Sequence, residues 1–154
     1  MLIRPMLGAD VVPVAQLLHT LALTFIVHDM RPEAAATFLR DNDAEAIARH
    51  LERGFAYHVA EDDGAIAGFV GMREGSHLFH LFVGTPWQGR GLARRLWDCA
   101  RMATIAAGSA PPFTVNASNY AVPAYLRLGF VPTGPMMEKN GVRFNPMRWP
   151  APPD

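Results

Sequence analysis

The sequence predicts a single mixed α/β domain, a mostly antiparallel sheet flanked by helices. Three observations predict it. Asp63-Gly64 and Asn140-Gly141 are tight-hairpin dipeptides, and β-rich runs flank the first. The run HLFHLFV, His77 to Val83, is apolar on both alternating faces, as in a strand inside a sheet. A helical period from Arg90 to about Ala107 then separates that run from another strand, which reads as a helical crossover.

The elements follow in order. LIRP, Leu2 to Pro5, is a short first strand. Asp10 suits a helix N-cap, and Pro13 is tolerated only in a first turn. Val14, Leu17, Leu18, Leu21 and Phe25 recur at helical spacing, so a helix is expected over 11–26. Pro32 stands near a helix start, and a second short helix follows Asn42 or Asp43, with Ile47 and Leu51 on one face. The Asp63-Gly64 hairpin, the HLFHLFV strand and the Arg90 helix come next. PFTVN is a strand, AVPAYLRL a short helix, and Gly129 its C-cap. The Asn140-Gly141 hairpin closes the chain. The count is strand, two helices, three strands, helix, strand, helix, two strands. Residues 1–150 form the domain, and 151–154, APPD, a disordered C-terminal tail.

Composition narrows the function. A chain of 154 residues buries a sizeable core without disulfides or metals. Formal net charge is zero, which argues against a general nucleic-acid or anionic-membrane surface. The single cysteine, Cys99, forms no intrachain disulfide and fits a reducing compartment. The apolar N-terminal run is broken by Asp10, Pro13, Gln16, His19 and Thr20, and lacks signal-peptide features. A cytoplasmic protein with no membrane span is expected.

PWQGRGLARRL, Pro86 to Leu96, carries the chemistry. A glycine-rich loop between a strand and a helix N-terminus binds anions, because the first helical N–H groups lack partners and the helix dipole favours negative charge. Arg90, Arg94 and Arg95 add positive charge. No lysine makes it a Walker A loop, and Arg94 stands where a dinucleotide loop needs its third glycine. A plain strand-to-helix turn is the bland alternative.

Gln88-x-x-Gly91-x-Ala93 resembles the Q/R-x-x-G-x-G/A signature of the GNAT superfamily of acyl-CoA-dependent N-acetyltransferases. VNASNYAVPAYLRLGF, Val115 to Phe130, resembles that family's later strand and helix, with Tyr125 four residues before Gly129-Phe130. The opening IRP, the strand before the loop and the closing hairpin resemble a bacterial-type branch. The element order matches over nearly the whole chain.

The resemblance implies an acyl-CoA N-acyltransferase fold with acetyl-CoA as co-substrate and a small primary amine as acceptor. Gln88, Gly89, Arg90, Gly91, Leu92, Ala93 and Arg94 would hold the pyrophosphate. The backbone of Leu81, Phe82 and Val83 would pair with the pantetheine arm, and an N–H near Leu81 would polarise the thioester carbonyl. Tyr125 would protonate the departing sulfur, since a phenol is a protonated donor at neutral pH. His77 is the candidate base; strict alternation puts it on one face with Phe79, Leu81 and Val83. Asn116 and Asn119 are turn residues or further cofactor contacts. Phe25, His28 and Asp29, with the last hairpin, would wall the acceptor site, Asp29 holding a cationic amine. Alternation sets His77 and His80 on opposite faces, so no metal site is expected. Cys99 reads as a buried helix residue. Homodimers are common in the family. The alternative within this fold is a non-catalytic acyl-CoA-binding or regulatory module. A nucleotide-phosphate binder is the alternative outside it.

Overall fold

Two glycine-containing turns close the early and the late hairpin of the sheet. Asp63 and Gly64 have φ of 51° and 83°, and Asn140 and Gly141 have 54° and 79°. Two successive left-handed residues make a turn whose twist matches the flanking strands. The computed structural model describes residues 1–153. The elements are β1 (Leu2–Pro5), α1 (Val11–Phe25), α2 (Pro32–Asp41), α3 (Ala44–Glu52), β2 (Ala56–Asp62), β3 (Ala65–Arg73), β4 (His77–Val83), α4 (Leu92–Ala106), β5 (Phe113–Ala117), α5 (Val122–Arg127), β6 (Val131–Pro132), β7 (Met137–Lys139) and β8 (Val142–Trp149).

The strands form one mixed, mostly antiparallel sheet in the order β1-β2-β3-β4-β5-β8-β6, with β7 paired to β8. Among the described residues, only β4 and β5 run parallel, joined by the α4 crossover. One face of the sheet packs on α4, where Val70, Met72, Leu78, Leu96, Trp97 and Phe113 are buried together. The other packs on α1 and α3 through Val14, Leu18, Ile47, Val59 and Phe69.

Several expectations need correction. Three helices, not two, precede the first hairpin, because PEAAATFLRD is itself the helix α2. Pro32 fits its first turn, where no N–H is needed. Asn42 Nδ2 donates to the Phe38 carbonyl at 2.8 Å and ends it, and Asp43 accepts from Ala46 N–H at 2.9 Å to start α3. Asp10 stands at the start of α1 but does not cap it. Its carboxylate accepts the Leu7 N–H at 2.8 Å and pairs with Arg4 at 2.7 Å. The crossover helix begins at Leu92 rather than Arg90, and β6 adds a short strand after α5.

By length and composition alone, Gly8–Phe25 would pass for a membrane span, with 18 residues and mean hydropathy 1.2, a test that buried core helices also pass. In this fold Val14, Leu18, Leu21 and Ala22 are buried in the core. Ala151–Pro153 have no regular structure, and the tail expected over 151–154 otherwise falls on Asp154, which lies outside the described residues.

One irregularity shapes the site. In the β3–β4 ladder Gly71 faces His80 and Met72 faces Leu78, so Phe79 is an extra residue in β4. Such a bulge breaks alternation. Leu78, Leu81 and Val83 therefore pack with the α4-side cluster, while Phe82 packs on the α1 side and His80 meets Tyr57 and Phe69. His77 precedes the bulge and alternates with Leu78, so it does not share the face of Leu81 and Val83. It lies on the side of His80, contrary to the strict-alternation reading. Among the described residues no three His, Cys, Asp or Glu side chains are grouped so as to hold a metal ion.

Candidate acyl-CoA and acceptor cleft

Strands β4 and β5 pair only at their beginnings, His77 to Thr114 and Leu78 to Val115. Past these positions they part. The gap opens a cleft of about 1290 Å³ whose walls include Leu81, Phe82 and Val83 on one side and Val115, Asn116 and Ala117 on the other. The unpaired backbone there is available to an extended ligand, as at a sheet edge.

The glycine-rich loop closes one end. Gly89 and Gly91 have φ of 76° and 79°, and an added Cβ at either would meet nothing within 4 Å. Glycine is needed here for its left-handed backbone, and the space above stays open. Gly91 is the N-cap of α4, and the first intrahelical bond runs from Arg95 N–H to the Gly91 carbonyl at 3.2 Å. The N–H groups of Leu92, Ala93 and Arg94 precede it and are free of helical partners. Gln88 ties the loop to β4 through its Nε2 and the Val83 carbonyl, 2.9 Å. Trp87 anchors it to β2 by donating to Asp62 at 2.7 Å.

Tyr125 is fixed by the end of α5. Gly129 has φ of 97°; Phe130 N–H bonds the Tyr125 carbonyl at 3.0 Å and Gly129 N–H the Leu126 carbonyl at 3.1 Å. This paired arrangement is the Schellman ending. The Tyr125 ring meets Phe130 edge-on at 5.4 Å, lines the cleft and is 7% exposed. Burial pushes its phenol well above the usual range.

The cleft thus gathers Leu81, Phe82, Val83, Gln88, Gly89, Gly91, Leu92, Ala93, Arg94, Asn116, Tyr125 and Phe25. It leaves out five candidates. Arg90 is exposed beside the loop, and Asn119 accepts from Asn145 at 2.8 Å. His28 and Asp29 are exposed in a turn after α1. His77 bonds Thr114 across the β4–β5 pairing, Nδ1 to Oγ1 at 2.8 Å. Burial, and then Arg73, push that imidazole down to about 4. Cys99 on α4 is half-buried, its thiol pushed up by burial.

A family model of the acetyltransferase (GNAT) domain matches residues 26–151. The chain belongs to the GNAT acetyltransferase family. No curated protein matches this GNAT domain. Among solved structures it is similar to a GCN5-related N-acetyltransferase from Rhodopseudomonas palustris, also described as an aminotransferase of class II, at 24% identity and a TM-score of 0.78. The match covers 96% of this chain and 93% of the other. A GNAT phosphinothricin acetyltransferase from Sinorhizobium meliloti, in complex with acetyl-CoA, matches at 18% identity and TM-score 0.71, over 97% and 87% of the two chains. The PaiA N-acetyltransferase from Thermoplasma acidophilum, in complex with coenzyme A, matches at 14% and 0.69, over 95% and 96%. At these identities the likeness is one of fold.

Residues that the sequence reading missed line the far end of the cleft. His50, on α3, lies face to face with Phe55 at 4.7 Å and edge-on to Phe79 at 5.0 Å. Its Nδ1 is buried without a partner. Burial first, then Arg53, Arg49 and Arg73, hold its pKa below the ordinary histidine value. Phe25 stacks on Tyr120 at 4.4 Å, joining the end of α1 to the β5–α5 loop. An added Cβ on Gly141 would lie 2.7 Å from the Ala34 side chain, so the last hairpin rests on α2 and carries Val142, Arg143 and Phe144 to the cleft. Met136 and Met137 stay exposed. No periodicity marked His50, because it reads as one polar position on an amphipathic helix.

Proposed function

We propose that this domain moves an acetyl group from acetyl-CoA to the primary amine of a small molecule by direct attack within a ternary complex. The observation that carries the reading is one cleft in which the parted β4–β5 backbone, the free N–H groups of α4 and Tyr125 meet. Its shape suits an elongated, anionic thioester. Open space above Gly89 and Gly91 fits a pyrophosphate approaching the backbone. The solved relatives with acetyl-CoA or CoA support the same co-substrate.

In this reading Gln88 to Arg94 bind the pyrophosphate through backbone N–H groups, and the backbone of Leu81 to Val83 aligns the pantetheine arm. An N–H at Leu81 stabilises the charge that develops on the carbonyl oxygen. The amine nitrogen forms the C–N bond as the C–S bond breaks. Tyr125, kept protonated by burial, donates to the sulfur and supplies its proton. The nitrogen becomes strongly acidic once bonded to carbon, so a weak neutral base accepts its proton. His50 fits this task better than His77: it lines the cleft and is held neutral, whereas His77 is tied to Thr114 outside it. Asn116 borders the cofactor side, and Phe25 the acceptor side.

The first experiment is calorimetric titration with acetyl-CoA, with NADH and ATP as controls, followed by a thiol-release assay over an amine panel. Selective binding of acetyl-CoA and amine-dependent release of CoA are expected. Binding without transfer to any amine would favour an acyl-CoA-binding module, and preference for NADH would refute the reading of the loop.

A further inference from the structure

Five arginines and one aspartate line the cleft of a chain whose formal net charge is zero. Arg94 and Arg127 belong to the loop end, where the Arg94 guanidinium donates to the Arg127 carbonyl. Arg49, Arg53 and Arg143 come from α3, the turn after it and β8, and Asp41 from the end of α2. Among the described residues, none of these arginines has a carboxylate within ion-pair distance. The ion pairs there join Arg4 to Asp10 and Glu61, and Arg101 to Asp98.

An unpaired arginine on open surface is ordinary. Here Arg49 on α3, Arg53 just after it and Arg143 on β8 line the same cleft as Phe38 and Phe79, and the acid opposite Arg143 across the β7–β8 ladder, Glu138, makes no ion pair with it. Arg73 adds a fourth guanidinium, 5.8 Å from the centre of the Phe79 ring. Three of the four, Arg49, Arg53 and Arg73, act on the His50 ring, and no carboxylate opposes them there. A cleft in which one sign of charge outnumbers the other five to one focuses its field on what enters. Guanidinium forks match the two oxygens of a carboxylate.

On the acetyltransferase reading, we propose that the acceptor is a small amine that also carries a carboxylate. The carboxylate is held by Arg49, Arg53 and Arg143, and the apolar remainder lies against Phe38 and Phe79. The same field turns the molecule: it draws the carboxylate in and repels an ammonium, so the nitrogen points back toward the parted strands. It also favours the neutral, nucleophilic amine. This replaces the expectation that an acid, Asp29, grips a cationic acceptor, since Asp29 is exposed outside the cleft.

The test measures acetyl transfer to matched acceptors: phenylalanine, phenylalaninamide, phenethylamine and phosphoethanolamine, with leucine and leucinamide as a second pair. The free amino acids are expected to exceed their amides and the decarboxylated amine by about tenfold or more in kcat/KM, one well-made ionic contact. Arg53→Gln combined with Arg143→Gln should raise the amino-acid KM about tenfold or more, with the KM for acetyl-CoA unchanged. Both residues are exposed, so the fold tolerates the change. Equal use of the amides, preference for the phosphorylated amine, or no transfer to either amino acid by protein that binds acetyl-CoA would overturn the proposal. Failure to bind acetyl-CoA in the calorimeter would instead overturn the reading on which it rests.

Discussion

His80 on β4 bonds Asn42 at the α2–α3 junction, Nε2 to Oδ1 at 2.7 Å. Asn42 spends its Nδ2 on the Phe38 carbonyl, so its Oδ1 accepts and His80 Nε2 carries the proton. His80 Nδ1 is then an acceptor, and the Tyr57 hydroxyl donates to it at 2.9 Å. One directed chain therefore pins β2, the bulged strand β4 and the junction of two helices. Both ring nitrogens are engaged, so His80 borders the cleft as a structural group.

Tyr57→Phe leaves the buried Nδ1 acceptor of His80 without a donor. Urea unfolding should show a loss of about 1–3 kcal/mol, the cost of an unsatisfied buried group. An unchanged midpoint would mean that the chain contributes nothing to stability.

Burial, followed by the nearby His50, pushes the His80 imidazole down to about 3. The unfolded chain takes up a proton near the ordinary value of 6.5, and the folded one does not. The stability linked to neutral His80 is therefore complete above about pH 6.5 and is lost as pH falls toward 3. His77, pushed to about 4, adds to the same acid slope. His80→Gln should flatten the fall of the unfolding midpoint between pH 6.5 and 4; an identical slope would exclude His80 as its source.

Tyr125→Phe removes the donor and keeps the ring packed against Phe130. Turnover should drop about 10²-fold or more, the range for a lost general acid, with acetyl-CoA affinity unchanged. Undiminished turnover would leave Tyr125 as a core aromatic.

At Gly91, φ of 79° opposes any side chain, and the space above the glycine is open. Gly91→Glu sets a negative charge there and should abolish acetyl-CoA binding in calorimetry. Gly91→Asn tolerates the left-handed backbone and should retain most of it. Normal affinity in a folded Gly91→Glu variant would refute the loop as the pyrophosphate site.

The two histidines should separate. His50→Gln is expected to lower kcat about 10²-fold where the imidazole is neutral, with the difference shrinking as pH falls and the wild-type base takes up a proton. His77→Ala should leave kcat within about twofold and lower stability instead, by losing the Thr114 bond, worth about 1 kcal/mol. The reverse pattern would restore His77 as the base.

Much of this was written along the chain. The sequence alone determined the two hairpins, since Asp63-Gly64 and Asn140-Gly141 adopt left-handed turns by local sterics. It determined the glycine turn that opens α4, because glycine spacing and helix ends are local features. It determined the place of Tyr125, because Gly129 dictates how α5 ends. The tertiary structure alone decided the rest. The extra residue Phe79 in β4 turns His77 away from Leu81, and no pattern of apolar residues announces a bulge. Arg143 lies about 90 residues from Arg49, His50 and Arg53, and it shares their cleft only because the last hairpin folds onto α2 and α3 lies against the sheet. Turns and caps act over a few residues, so sequence encodes them directly. A cleft wall is assembled from distant segments, and packing decides which side chains share it.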